Sequence, residues 1–327
     1  MARINVIKAI RDALDEEMAA DERVIVLGED VGRLGGVFRA TEGLWQKYGD
    51  KRVIDMPIAE ASIVGVAIGA ALNGLRPVAE IQFADYIHPA FDQIVNEAAK
   101  IRYRSAGGFH CPIVIRAPAG GGIHGALYHS QSVEAYFCHA PGLKVVAPAT
   151  PYDAKGLLKA AIRDPDPVVY FEFKATYRTI EEEVPEEDYV VPIGQAAVRR
   201  SGQHLTLLTY GAMVHPSLKA AQMLAEEEIE VEVIDLRTLL PLDRQTILAS
   251  VQKTGKVLIV HEANKTGGLG AELAALIVEE AFEYLDGPIV RLTGPDVPAM
   301  PFAPTLEAAF MPDVTKIVQA ARQLDAY

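Results

Sequence analysis

Short, unbroken apolar runs recur along the chain and alternate with segments whose apolar residues return every three or four positions. VIVLG (24–28), the run in RPVAEIQFADY that ends near Phe83, PIVIRAP, LKVVAP and PVVYFE are of the first kind, each bounded by charge, glycine or proline. They read as strands buried on both faces of a parallel sheet. Val6, Ile10, Leu14 and Met18 predict a helix over about Asn5 to Ala19, and Phe91, Ile94, Val95 and Ala98 share one face of a helix from about Pro89 to Ile101. A third helix is predicted from Tyr152 to Ile162. No hairpin signal interrupts the alternation, which implies a doubly wound sheet. The charged stretch IEEEVPEEDY, Ile180 to Tyr189, breaks it and reads as a linker. The alternation then restarts with LTLLTY, a helix from Val214 to Glu227, VEVIDL, a helix from Asp243 to Val251, KVLIVHE, a helix from Gly270 to Tyr284, and PIVRLT. Two doubly wound α/β domains are therefore expected, 1–180 and 201–327, with 181–200 between them.

RVIDMPIAEA, Arg52 to Ala61, packs a strand end, a proline break and a carboxylate at a helix mouth into ten residues. The helix that follows, ASIVGVAIGAALNG, is almost wholly small or aliphatic, which predicts burial on nearly every side with close backbone approach at Gly65 and Gly69. Glu60 at its start has two readings. It complements the helix dipole, worth about 0.3–1 kcal/mol; or it is a partly desolvated carboxylate, its pKa raised by burial, that exchanges a hydrogen bond with a ligand nitrogen.

Composition narrows the partners. The formal net charge is −13, from 31 basic and 44 acidic residues with no dense Lys/Arg cluster, which argues against nucleic acid or an anionic membrane. Two cysteines in apolar surroundings, Cys111 and Cys138, are not spaced as metal ligands and suit a reduced, cytoplasmic compartment. The acidic amphipathic start lacks a signal-peptide core, and the longest apolar run, within Ala61 to Leu75, is too short and glycine-rich to span a membrane.

In open α/β sheets ligands sit at the carboxyl ends of the strands. There the chain places Glu29 and Asp30 in a glycine-rich loop, then Glu60, then Phe83 and Tyr86, then His124 and His129 in PAGGGIHGALYHSQS. Each alone reads as readily as a solvated loop residue or a core aromatic. Together, carboxylates, two aromatics and a histidine suit a flat heteroaromatic ligand that needs stacking and one proton transfer. Walker A, GxGxxG after the first strand, GxSxG and HExxH are absent. GGLG, Gly267 to Gly270, opens a helix and reads as an anion site or, more simply, as a tight turn.

Several motifs carry a family resemblance over nearly the whole chain: VLGEDVG with GGVFRATEGL, the PIAEA stretch, GLRPVAEIQFADYIHPAFDQIVNEAAKIRYRS, PGLKVV, TPYDAKGLLKAAIRDPDPVVYFE, YGAMVH and EVIDLRTLLPLD. In these the chain resembles the β subunit of the thiamine-diphosphate-dependent decarboxylase component of 2-oxoacid dehydrogenase complexes. The resemblance implies a transketolase-like pyrimidine-binding domain followed by a transketolase C-terminal-like domain. It gives Glu60 the role of hydrogen-bonding the aminopyrimidine ring nitrogen, so favouring the tautomer that deprotonates the thiazolium. Glu29, Phe83 and Tyr86 then fall beside the pyrimidine, and His129 matches a histidine that assists acyl transfer to a lipoyl group. It also implies a structural potassium ion held by oxygens of Ile113 and of the segment from Ala161 and Ile162 through Asp164 to Asp166. On spacing alone that segment is an ordinary helix end and an acidic turn.

The GDG-type loop that carries Mg²⁺ and the diphosphate has no counterpart here. A polyanionic tail needs a metal and donors, so the resemblance implies an α subunit that holds Mg²⁺ and that half of the cofactor, in an α₂β₂ heterotetramer. It further implies docking to the lipoyl acyltransferase core through that protein's subunit-binding domain. HGALYHSQSVEA and GPDVPAMPFAP are more similar to branched-chain than to pyruvate members, and Gly125 and Ala126 would leave room for a branched side chain. The competing readings are a pyruvate dehydrogenase β subunit, a non-catalytic scaffold subunit of such a complex, and a self-sufficient thiamine enzyme. The missing diphosphate motif opposes the last.

Overall fold

The computed structural model describes all residues, Met1 to Tyr327, and separates them into two compact units. The first comprises Met1–Ala119 and Tyr136–Ile193, the second Gly120–Ala135 and Gly194–Tyr327. In the first, parallel strands lie side by side in the order 144–146, 168–173, 114–119, 76–80, 24–28 and 53–55. All five residues of Val24–Gly28 are buried. Val24 and Val26 join the apolar layer of helices Val6–Ala20 and Pro151–Arg163, and the alternation of a strand turns Ile25 and Leu27, buried as well, to the opposite face. Asn5 caps the first helix by accepting from the Lys8 amide, and Thr150 caps the other by accepting from Asp153.

Three segments depart from the sequence pattern. The helix Glu60–Leu72 buries only one face, through Ile63, Val64, Ala67, Ile68 and Ala71. A Cβ added at Gly65 or Gly69 would meet nothing within 4 Å beyond the helix's own backbone, and Ser62, Val66 and Leu72 are exposed beside them. The stretch expected as one helix from Pro89 to Ile101 is instead a 3₁₀ turn (His88–Ala90), a π turn (Gln93–Glu97), a second 3₁₀ turn (Ala98–Lys100) and a short α-helix (Ile101–Arg104). Within the charged segment expected as a linker lies a strand, Glu181–Val184, paired antiparallel with Ala2–Asn5.

The second unit carries a five-stranded sheet in the order 290–294, 257–264, 205–209, 231–235 and 197–200. All neighbours are parallel except the edge strand Ala197–Arg200, which runs antiparallel to Val231–Asp235. Helices Val214–Ala225, Arg244–Thr254, Leu269–Ala281, Pro304–Phe310 and Val314–Asp325 complete it. No helix is long and apolar enough to cross a membrane.

Candidate active site

Glu29 follows the strand Val24–Gly28 directly, and Glu60 is the first residue of its helix. Glu29 is 8% exposed, and its carboxyl is pushed above the usual carboxylate range, by burial first and then by the negative charges of Glu60 and Asp30. The loop between them is held from below. The Gly32 amide donates to the Asp55 carboxylate at 2.6 Å, the Met56 amide to the Gly28 carbonyl at 2.8 Å, and the Thr41 hydroxyl to the Val31 carbonyl at 2.7 Å. Gly36 is a glycine of necessity: its φ is +77°, and a Cβ there would lie 3.1 Å from Glu80 Oε1.

Phe83 and Tyr86 lie just past the strand Arg76–Glu80, edge to face with ring centroids 5.7 Å apart. Phe38 joins them at 5.3 Å from Phe83, and the Lys174 ammonium stands 5.7 Å from the Phe83 centroid. Phe38 escaped the sequence reading because a lone aromatic in a glycine-rich loop carries no periodic signal.

Phe38 also packs on Tyr177, at 5.2 Å between centroids, and Tyr177 leads to an ionic cluster from three adjacent strands. Arg116, 0% exposed, grips Glu172 at 2.6 and 3.0 Å and Glu80 at 2.6 Å, and the Tyr177 hydroxyl donates to Glu172 at 2.6 Å. Burial works against the guanidinium's charge, but the two carboxylates outweigh it and hold Arg116 protonated. Burial pushes the Glu80 carboxyl up, and Arg116 offsets part of that. The sequence signal was present: one charge in or at the end of each of three apolar runs, where an unpaired charge is untenable.

The oxygens expected to bind potassium gather at the opposite ends of these strands. The Arg76 guanidinium donates to the carbonyls of Ile162 at 2.7 Å and Asp164 at 3.2 Å. Lys144 holds the Asp164 carboxylate at 2.6 and 2.7 Å, and Arg102 holds Asp166 at 2.5 Å. The Ile113 carbonyl accepts from the Val168 amide at 3.0 Å, and that of Ala161 from Asp164 at 3.3 Å. Cations of the chain's own thus meet the Ile162 and Asp164 carbonyls and both carboxylates, while backbone amides meet the Ile113 and Ala161 carbonyls. A potassium ion held here would share the Ile162 and Asp164 carbonyls with Arg76, and no step is assigned to that ion.

His129 lies in Gly120–Ala135, which belongs to the second unit. It follows the 3₁₀ turn Ala126–Tyr128 and is half-buried. The Gly121 amide donates to Glu262 at 2.6 Å, and the amides of Gly122 and His124 donate to one oxygen of Glu307 at 2.9 and 3.3 Å. The other Glu307 oxygen pairs with the His124 imidazole. At the loop's far end the Tyr210 hydroxyl donates to Glu134 at 2.5 Å, and burial pushes the Glu134 carboxyl up. Gly125 is small for the loop's own sake: a Cβ there would meet His129 Cβ at 2.7 Å and Ser130 Oγ at 2.8 Å.

His261, 1% exposed, lies with its ring 5.9 Å from that of Tyr210 and accepts from the Gly270 amide through Nε2 at 3.2 Å. Burial pushes the imidazole down to about 4, the Ala263 backbone opposing and the Arg291 charge assisting. Its ordinary value is 6.5, so the unfolded chain takes up the proton first. The stabilisation from keeping it neutral is complete above pH 6.5 and is lost as pH falls towards 4, on the order of 3 kcal/mol in all. Denaturant titrations across that window should show the loss, and a His261→Gln variant should show a flatter pH dependence than the wild type.

The description "Transketolase, pyrimidine binding domain" matches residues 2–179, and "Transketolase, C-terminal domain" matches residues 194–317. A solved chain described as "Split gene transketolase, inactive beta4 tetramer" superposes with a TM-score of 0.80 at 26% identity, covering 99% of this chain and 98% of that one. Fold and site thus define a transketolase-type protein. "2-oxoisovalerate dehydrogenase subunit beta" of Bacillus subtilis is 58% identical over 324 residues, 99% of either chain. "Pyruvate dehydrogenase E1 component subunit beta" of the same organism is 48% identical, again over 99% of each chain. The chain belongs to the family of 2-oxoacid dehydrogenase β subunits.

Proposed function

We propose that this chain is the β subunit of a branched-chain 2-oxoacid dehydrogenase, and that it supplies the pyrimidine half of a thiamine diphosphate site completed by an α subunit. The observation that carries the reading is a carboxylate pair, Glu29 and Glu60, close enough for the charge of Glu60 to raise the Glu29 carboxyl, in the same unit as the mutually packed Phe38, Phe83 and Tyr86 rings, with Glu29, Phe83 and Tyr86 just past strand ends. Bound thiamine diphosphate supplies the electron sink that lets a 2-oxoacid lose carbon dioxide. Glu60 would hydrogen-bond the ring nitrogen and hold its proton. The Glu29 carboxyl keeps its proton to higher pH than an ordinary carboxyl, through burial first and then through the charges of Glu60 and Asp30. The aromatic edges would dry the pocket and orient the ring. His129 would assist transfer of the acyl group to the lipoyl group of the acyltransferase.

Mg²⁺ and the diphosphate are assigned mainly to the α subunit, because the GDG-type loop that would carry them has no counterpart in this sequence. The apolar helix Glu60–Leu72, with Val66 and Leu72 exposed beside the open Gly65 and Gly69, offers a face for a partner chain in an α₂β₂ heterotetramer. Docking of the acyltransferase's subunit-binding domain is assigned to the second unit.

Substrate choice follows the higher similarity to the 2-oxoisovalerate relative, 58% against 48% for the pyruvate one. The test is turnover of the complex reconstituted with its α subunit. Branched-chain oxoacids should exceed pyruvate in kcat/KM by at least about tenfold, the discrimination that one or two methylene groups in an apolar pocket can supply. A preference for pyruvate would overturn the branched-chain assignment.

A further inference from the structure

We infer that Glu307 is a positioning residue for acyl transfer, holding the glycine-rich loop in the one shape that presents His129. The inference rests on reading the chain as a 2-oxoacid dehydrogenase β subunit. GGGIHGA, Gly120 to Ala126, is rich in glycine and would sample many conformations if left unanchored. It instead adopts a tight path with left-handed backbone at Gly120, Gly122, His124 and Ala126, two of them residues that seldom take it. Something must over-determine that path, and the hydrogen bonds identify it.

Two loop amides converge on a single Glu307 oxygen, the His124 ring takes the other, and a third amide goes to Glu262. Glu307 and Glu262 are each only 2% exposed, so these charge-assisted bonds meet little competition from water. A loop whose amides converge in this way resembles an anion-binding nest, and here the chain's own carboxylate fills it. The effect reaches His129 through Gly125. The loop folds back so closely that no Cβ fits between Gly125 and the His129 backbone, so displacing residues 122–126 displaces His129 with them. In this account Glu307 acts through the loop it anchors.

The test uses the complex reconstituted with its α subunit, comparing wild type with Glu307→Gln, and with Glu307→Asp as the conservative variant. Glutamine keeps the shape but turns an amide NH₂ or a weaker acceptor towards three donors. Hydrogen exchange at the amides of residues 121–124 should quicken at least tenfold in Glu307→Gln, with the rest of the chain unaltered. Reductive acylation of a free lipoyl domain should fall at least tenfold, dye-coupled decarboxylation should fall less than threefold, and Glu307→Asp should recover part of the acylation rate. Unaltered loop exchange would overturn the proposal, as would the two activities falling in parallel. The wild-type dye-coupled rate reports separately on the parent reading, and the exchange measurement stands whatever that rate is.

Discussion

Glu60→Ala should cost the assembled enzyme roughly 10²–10⁴ of its 2-oxoacid decarboxylation rate, the range over which a positioned proton-transfer group typically contributes. Assembly and melting should be preserved, because Glu60 is only partly buried and its backbone, not its side chain, begins the helix. The loss belongs to chemistry and not to folding. Glu29 is the informative comparison. Its raised carboxyl depends partly on the charge of Glu60, so removing Glu60 should let Glu29 ionise at lower pH and should not let it take over. Dye-coupled decarboxylation, which bypasses lipoyl transfer and so the step proposed for His129, is the appropriate assay. A Glu60→Ala complex that keeps more than a tenth of wild-type activity would contradict the assignment.

The largest stability effect is expected at Arg116. Arg116→Leu strands Glu80 and Glu172, 4% and 1% exposed, without their shared cation, and removing one partner of a buried ionic cluster typically costs about 3–5 kcal/mol. The deficit should narrow as pH is lowered, since protonating the stranded carboxyls removes the uncompensated charge. Replacing all three residues by apolar ones of similar volume should recover much of the stability, because the cluster's desolvation cost disappears together with its attraction. Denaturant unfolding of the three proteins measures this directly. Arg116→Leu within 1 kcal/mol of wild type would show that the cluster relaxes or admits water. Phe38, in contact with Phe83, also packs on Tyr177, whose hydroxyl donates to Glu172, so the same variant should loosen the aromatic group.

Strands buried on both faces write unbroken apolar runs, which is why VIVLG and KVLIVHE fall where the pattern places them, within a residue or two at the ends. Glu181–Val184 was illegible for the opposite reason: it is a largely exposed edge strand of glutamates, paired through backbone bonds that leave no apolar signature. The π turn at Gln93–Glu97 defeats periodicity differently. Apolar spacing still fits a helix while the backbone inserts an extra residue. The open face of Glu60–Leu72 misled because an apolar helix reads the same whether its own chain or another covers it. Of the candidate site, the positions of Glu29, Phe83 and Tyr86 past strand ends and of Glu60 at a helix start were legible in the apolar runs around them. Glu307 was not: TLEAAF looks like a solvated helix, and only tertiary structure brings the loop amides to its carboxylate.

The most direct test of the central claim, that this chain holds half of a thiamine diphosphate site, is calorimetric titration of the cofactor with Mg²⁺ into the chain alone and into its complex with the α subunit. The account predicts saturable, tight binding only in the complex, weakened by Glu60→Ala. Tight binding by the isolated chain would contradict it.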